Sequence, residues 1–167
     1  FTNIFPHYRF AIWKKLISSN KFILDIYFSP SNPLGIPTPD LNNLFDDQER
    51  TKFHFLKNYW FNKKILFWQS EVLRVTAFSK FDHVMLLGEM YIISSWILCL
   101  IAKIRGKKIY MWSHGLYGNE SFIKKYIRLN FLKLADVIFL YENRAKKLLV
   151  KNGFEENTLD VVYNSLD

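Results

Sequence analysis

Residues 107–120 read KKIYMWSHGLYGNE, and this stretch decides the fold that the sequence predicts. Its first half is apolar and β-prone, a His-Gly pair follows, and a second glycine precedes an amphipathic helical pattern. The stretch therefore predicts a strand, a polar loop and a helix. In an open α/β sheet, ligands bind beyond the carboxyl ends of the strands, where the next helix presents unpaired N–H groups. His114 lies at this point and is the residue there that exchanges a proton near neutral pH.

The same alternation of strand and helix extends over most of the chain. Strands are predicted over 22–28, 53–61, 64–68, 82–87, 107–112, 136–141 and 159–163. Helices are predicted over 6–17, 70–80, 91–104, 121–134 and 142–152. Strands joined by helices imply right-handed βαβ units. We therefore expect an α/β fold with a doubly wound, mainly parallel, Rossmann-like sheet.

One domain is expected over residues 1–167, interrupted by a proline-rich stretch at 29–51. Four of the five prolines, with Gly35 and an acidic cluster, fall in that stretch. A long irregular insertion of this kind is either a functional loop or poorly ordered. The chain begins at Phe1 without a leader and stops directly after a predicted strand. We take this as the pattern of a piece of a longer protein.

Composition narrows the class of partner. A formal charge of +8 and a pI near 9.5 favour anionic partners: a membrane face, nucleic acid or phosphorylated substrates. The single cysteine, Cys99, excludes internal disulfides and a cysteine metal cluster, and it fits a reducing compartment. The most apolar run, 91–102, is shorter than the ~20 residues of a membrane span, so a buried helix is predicted there.

Several short segments, in their order along the chain, carry a family resemblance. They are FPHYR at 5–9, WSHG at 112–115, ADVI at 135–138 leading to Tyr141 and Glu142, 146–149 with Gly153, and VVYNSLD at 161–167. Together they resemble the amino-terminal domain of a GT-B glycosyltransferase of the large retaining family called family 4. The closing segment is similar to the stretch where the first domain of such enzymes passes into the second.

The resemblance implies an enzyme of two Rossmann-like domains that moves a sugar from a nucleotide-sugar to an acceptor with retention. The amino-terminal domain would hold the acceptor, and the carboxy-terminal, donor-binding domain has no counterpart in this stretch. The family's paired donor-site glutamates are also missing, so these residues alone are expected to be inactive. Residues 3–6 replace the family's glycine-rich first loop. No cofactor is expected, because the nucleotide-sugar is a donor substrate, and no metal site is predicted, because the sequence has no aspartate-x-aspartate motif.

The resemblance assigns His114 as the catalytic candidate, since the matching family histidine approaches the transferred sugar. It would orient the sugar and help the leaving phosphate to carry charge; the alternative is a loop histidine bonded to backbone. The acceptor-binding candidates are Tyr8, Arg9, Glu89 and Gly115. Arg9 and Tyr8 suit an acceptor phosphate or hydroxyl, or are a surface arginine and a packed tyrosine. Glu89 suits acceptor hydroxyls, or is an ordinary carboxylate at the start of a helix.

Two sets of residues suggest contact with a surface. The first is a basic helix face, a candidate for an anionic membrane surface or simply a solvated face: Lys124, Lys125, Arg128 and Lys133. The second is the aromatic run of 53–61, which either inserts at an interface or packs in the core. Asn119 and Glu120 are predicted to be helix caps rather than ligands.

These expectations converge on one function. The chain is predicted to be the acceptor-binding domain of a retaining glycosyltransferase that acts on a glycan or lipid-linked acceptor in surface polysaccharide synthesis. It would be cytoplasmic, peripheral on the inner face of the cell membrane. The alternative is a non-catalytic, doubly wound ligand-binding or interaction domain. A nucleic-acid binder is disfavoured, because the basic and aromatic residues are spread through core elements and no such module occurs.

Overall fold

The computed structural model describes residues 1–5, 10–19, 21, 23–30, 36, 40–61 and 65–163. The helices are α1 (Phe10–Ile17), α2 (Leu41–Leu44), α3 (Asp47–Arg50), α4 (Val72–Phe78), α5 (Ile93–Ile104), α6 (Phe122–Leu132) and α7 (Asn143–Lys151). The strands are β1 (Ile26–Phe28), β2 (Phe53–Phe55), β3 (Asn58–Phe61), β4 (Leu66–Gln69), β5 (His83–Leu87), β6 (Lys108–Ser113), β7 (Val137–Leu140) and β8 (Leu159–Val161).

Strands β5 to β8 form a four-stranded sheet in sequence order, and all of its neighbouring pairs are parallel. Helices α5 and α6 connect successive strands of this sheet. Connections of this kind are right-handed, so both helices cover the same face. This is the α/β fold that the sequence predicted, a mainly parallel Rossmann-like sheet.

Alternate residues of the central strands enter two separate cores, because successive side chains of a strand point to opposite faces. On β6, Ile109 and Met111 pack with α5, α6 and α7, whereas Trp112 packs with α1, β1 and β2. The rings of Trp13 in α1 and Trp112 lie 6.4 Å apart. Helices therefore cover both faces of the sheet, which explains why these strands read as almost continuous apolar runs.

The first residues of the chain link the sheet to the parallel pair β1 and β2. The backbone nitrogen of Phe1 donates to the Met85 carbonyl at 2.6 Å, and that of Thr2 donates to the Tyr27 carbonyl at 2.9 Å. Residues 1–4 therefore run between β1 and β5. These two backbone hydrogen bonds connect the β1–β2 pair to the four-stranded sheet.

The stretch 53–61 departs from its prediction, because it forms two strands rather than one. β2 pairs with β1 in parallel, but β3 turns back and pairs antiparallel with β4. Phe53 is buried, whereas Phe55, Tyr59 and Phe61 are exposed. The aromatic run is therefore divided between the core and the surface.

The start of α4 and the proline-rich stretch both differ from their predictions. Helix α4 was predicted from residue 70 but begins at Val72: the N-cap position is Glu71, in the left-handed conformation with φ of 61°, and the Ser70 hydroxyl accepts from the Lys57 backbone. The proline-rich stretch contains α2 and α3, which Asp40 and Asp46 cap by accepting backbone N–H bonds.

Within the described residues, no helix is both long and apolar enough to cross a membrane.

Candidate functional site

Three side chains gather at the carboxyl edge of the parallel sheet. Glu89 follows β5, His114 follows β6 and Tyr141 follows β7. Parallel strands end at the same edge, so loops that are distant in sequence become neighbours there. The ring of His114 lies 4.3 Å from that of Tyr141 and 5.9 Å from that of Tyr117. His114 is exposed at this edge.

The loops after β5 and β6 are held together by one buried hydroxyl. Ser113 Oγ donates to the Gly88 carbonyl at 3.2 Å and accepts from the Gly115 backbone nitrogen at 3.0 Å. A Cβ on Gly88 would lie 2.5 Å from the Cβ of Ser113, closer than side chains approach. Glycine at position 88 thus lets the two loops touch, and this contact sets the spacing of Glu89 and His114.

Gly115 was predicted to contact the acceptor, and its geometry gives it a structural role as well. It has φ of 66°, a conformation that costs a residue with a side chain roughly 1–2 kcal/mol. A Cβ there would meet the Ala145 Cβ at 3.1 Å and Leu140 Cδ2 at 3.2 Å. The loop therefore turns sharply against α7, and His114 is fixed by the residue that follows it.

The loop after His114 is closed by Glu120, which does not cap α6 as its position suggested. Its carboxylate accepts from the backbone nitrogens of Tyr117 and Gly118, both at 2.9 Å. At the start of α6, the side chain of Ser121 makes no capping bond. Burial alone would raise the pKa of Glu120, but these hydrogen bonds and the attraction of Arg128 outweigh it and lower the pKa. Glu120 is thus held as an anion.

Arg128 lies inside the fold, although the sequence grouped it with surface lysines. It is only 5% exposed, its Nε lies 3.6 Å from Glu120 Oε1, and its guanidinium lies 5.0 Å from the Tyr117 ring centroid. Among the described residues, its Nε and Nη1 donate no hydrogen bond. The prediction of a shared exposed basic face is therefore wrong for Arg128. Lys124 and Lys133 are exposed and Lys125 is half-buried.

Burial perturbs two more ionisable groups near Arg128. It raises the pKa of Glu89, and the positive charge of Arg128 partly opposes that rise. It also raises the pKa of Tyr117, which the negative charge of Glu89 reinforces. The edge therefore combines an exposed imidazole, a half-buried carboxyl, a phenol and a buried cation.

This set of groups can bind a polar ligand with many hydroxyls. The carboxyl of Glu89 accepts hydrogen bonds when ionised and donates one when protonated, and the imidazole of His114 can do both. The rings of Tyr117 and Tyr141 flank His114 and offer apolar faces. Tyr8 and Arg9, the other predicted acceptor ligands, lie outside the described residues.

A separate groove of about 390 Å³ opens where β1 and β2 end. It is lined by Phe28, Phe53, Phe55, Leu41, Asp40 and Arg50, among others. None of the residues that gather around His114 lines this groove, so the groove is separate from the carboxyl edge of the sheet where His114 lies. We place the candidate site at His114 because the ionisable groups are there.

No known protein family matches this sequence, and a search of curated proteins likewise finds no match. The assignment of function therefore depends on the residues themselves and on the resemblance described above.

Sequence reasoning missed Tyr117 and Tyr141 as site residues and misplaced Arg128. The rule that selected His114 also applies to Tyr141, which is the first residue after the neighbouring parallel strand. Tyr117 lies in the stretch that decides the fold, four residues before the Ser121 N-cap position. Nothing in the local pattern signals Arg128, because its burial depends on how α6 is rotated against the sheet.

Proposed function

We propose that this chain is the acceptor-binding domain of a retaining glycosyltransferase. The observation that carries the proposal is the gathering of His114, Glu89 and Tyr141 at the carboxyl edge of a parallel sheet, with the imidazole exposed. The resemblance of 112–115 to the family motif supports it, because that motif supplies a histidine at this same position. The nucleotide-sugar would be the donor substrate, held largely by a second domain.

His114 would contact the transferred sugar. An imidazole at this edge can donate a hydrogen bond to a sugar hydroxyl and help to stabilise charge that develops on the leaving phosphate. The packing of Gly115 on α7 and the ring of Tyr141 would keep the imidazole in one orientation. Fixed orientation matters, because a donor group accelerates a reaction only where it matches the transition state.

Glu89 would bind acceptor hydroxyls beside His114. Its ionised carboxylate can accept hydrogen bonds from such hydroxyls, and the positive charge of Arg128 favours that ionised form against the effect of burial. A glycan or lipid-linked acceptor of surface polysaccharide synthesis presents such hydroxyls. We propose that the reaction takes place at the cytoplasmic face of the membrane, where nucleotide-sugars and lipid-linked acceptors meet.

The test is sugar transfer by the protein that carries this chain, with a panel of nucleotide-sugars and a membrane extract as acceptor. His114→Ala is compared with His83→Ala, which removes an exposed histidine at the opposite end of the same sheet. We expect His114→Ala to reduce kcat about 100-fold, the loss typical of a removed transition-state hydrogen bond. His83→Ala should retain full activity.

Two results would count against the proposal. If transfer persists in His114→Ala, the histidine is a structural loop residue. If the unaltered protein transfers no sugar from any donor but still binds a glycan, the non-catalytic ligand-binding domain becomes the better assignment. Glu89→Gln should raise the KM for the acceptor with a smaller effect on kcat, which separates acceptor binding from chemistry.

A further inference from the structure

Helix α6 turns its most apolar half to solvent. Phe131 and Leu132 are fully buried and fix the rotation of the helix against the sheet. Because a helix advances about 100° per residue, Ile123 then lies on the side opposite Leu132. The exposed set is Phe122, Ile123, Tyr126 and Ile127, and the most exposed of them is Phe122, at 83%.

The neighbouring helix α5 adds a second apolar stripe. Its exposed members follow a helical spacing of four, three and four residues: Ile93, Ile97, Leu100 and Ile104. The two helices are adjacent, since the rings of Trp96 in α5 and Phe131 in α6 lie 4.8 Å apart. We call these eight exposed residues of the two helices the apolar face. Exposed apolar side chains grouped on two adjacent helices mark a candidate interaction site.

The charged residues on the two helices have one sign. Neither α5 nor α6 contains an acidic residue, whereas Lys103 and Lys124 are exposed on them and Lys133 is exposed just after α6. Long lysine side chains can lie along an apolar surface and keep their ammonium groups in water. Large apolar side chains bordered by lysines suit a partner that has an apolar interior and an anionic surface.

We infer that the apolar face docks on the surface of an anionic lipid bilayer, with Phe122, Ile123 and Tyr126 inserted among the acyl chains and the lysines at the headgroups. The sequence suggested membrane contact through the basic residues. The structure instead identifies the apolar side of α6 as the inserting group. Amphipathic helices bind membranes through the combination of apolar burial and attraction to anionic lipids.

A second copy of this chain fits the face less well. In a symmetric dimer the same patch meets itself, so the lysines of both copies would lie close together without acidic partners on α5 or α6. An anionic leaflet neutralises the same lysines. Charge complementarity therefore favours lipid over a second copy.

Docking would place the candidate site close to the bilayer. The first residues of α5 and α6 follow the carboxyl ends of β5 and β6, where Glu89 and His114 lie. The exposed residues Ile93 and Phe122 are at these same helix ends. Only this consequence, access to a lipid-linked acceptor, rests on the proposed function; the docking itself does not.

The test is flotation of the protein that carries this chain with vesicles of phosphatidylcholine containing phosphatidylglycerol, and with phosphatidylcholine alone. We expect binding to the anionic vesicles that weakens as salt is raised. Phe122→Ser should reduce the partition coefficient about tenfold through lost apolar burial. Lys124→Gln should reduce it about fivefold. Phe78→Ser is the matched control, because Phe78 is 81% exposed but lies on α4, outside the apolar face; it should bind as well as the unaltered protein.

Three outcomes would overturn the inference: no binding to anionic vesicles at low salt, equal binding to neutral vesicles with no effect of Phe122→Ser, or an equal loss in Phe78→Ser. Analytical ultracentrifugation without lipid adds a fourth. A dimer that Phe122→Ser dissociates would assign the apolar face to a second copy instead. Because vesicle binding needs no sugar transfer, failure of docking and failure of the proposed enzyme activity are separate results.

Discussion

The geometry around His114 can be tested through three glycines that differ in what they require. Gly106 has φ of 67° with no atom within 4 Å of an added Cβ, so it needs glycine for its backbone alone. Gly88 needs glycine for space alone, since a Cβ would lie 2.5 Å from the Ser113 Cβ. Gly115 needs both, with φ of 66° and contacts of 3.1 and 3.2 Å. Alanine substitutions therefore separate backbone strain from packing.

The expected losses of unfolding free energy follow from these requirements. Gly106→Ala should cost about 1 kcal/mol. The left-handed conformation strains the alanine, but alanine also lowers the entropy of the unfolded chain, which offsets part of that strain. Gly88→Ala should cost roughly 2–3 kcal/mol, because a backbone-attached atom of Ser113 must shift. Gly115→Ala should cost roughly 2–3 kcal/mol as well, from strain of about 1 kcal/mol plus overpacking against Ala145.

Urea unfolding followed by tryptophan fluorescence measures these losses, provided that the m-value stays constant. The packing share at Gly115 can be isolated with Ala145→Gly, which removes the Cβ that an alanine at position 115 would meet. The double variant should be more stable than the sum of the single losses predicts. If Gly115→Ala is no more damaging than Gly106→Ala, the loop is not packed on α7 in the way the distances indicate, and the argument for a fixed His114 fails.

Three further predictions concern buried groups. Glu89→Gln should raise stability at pH 7, whereas Glu120→Gln should lower it, because folding raises the pKa of Glu89 and lowers that of Glu120. Arg128→Met should cost about 3 kcal/mol in urea unfolding and raise the pKa of both glutamates in a carboxyl titration by NMR, since it leaves them without a counter-charge. Cys99 should resist a thiol reagent at pH 8 until urea unfolds the chain, because burial raises its pKa to about 12.

The two glutamine substitutions are expected to change the free energy of unfolding in opposite directions, and the pH dependence of stability shows why. Because the pKa of Glu89 is raised on folding, protonated Glu89 favours the folded state. Its contribution to the free energy of unfolding is present below the ordinary pKa of 4.5 and is lost as pH rises through the folded pKa. The contribution of Glu120 to the free energy of unfolding is present above 4.5 and is lost as pH falls through its lower folded pKa. Both glutamine variants should converge with the unaltered chain at acid pH. Equal effects of the two at pH 7 would contradict the opposite shifts.

Controls separate the other two predictions from general destabilisation. Arg74→Met removes an exposed ion pair with Glu71 and should cost under about 1 kcal/mol, so a similar cost for Arg128→Met would mean that the Glu120 pair contributes little. Reaction of Cys99 at the same rate in folded and unfolded chain would show that α5 opens freely.

The sequence alone determined the alternation of strands and helices in the second half of the chain, because its signals are local. Apolar runs of strand length and glycines at helix ends are read from neighbouring residues. Gly106 and Gly153 stop their helices with positive φ, as glycine after a helix predicts. Parallel pairing of β5 to β8 then follows from the length of the connections. The placement of His114 beyond β6 required nothing more.

Only the tertiary structure decided which side of each helix is buried and which charges meet. Helix α6 is apolar around much of its circumference, so its sequence fits several rotations. Packing of Phe131 and Leu132 selects one, and that rotation buries Arg128 beside Glu120 and exposes Phe122. Glu71 is a second example, because nothing in the local sequence predicts its left-handed backbone conformation at the start of α4. Long-range packing outweighs local preference here because burying large side chains is worth more than a cap or a single strained residue.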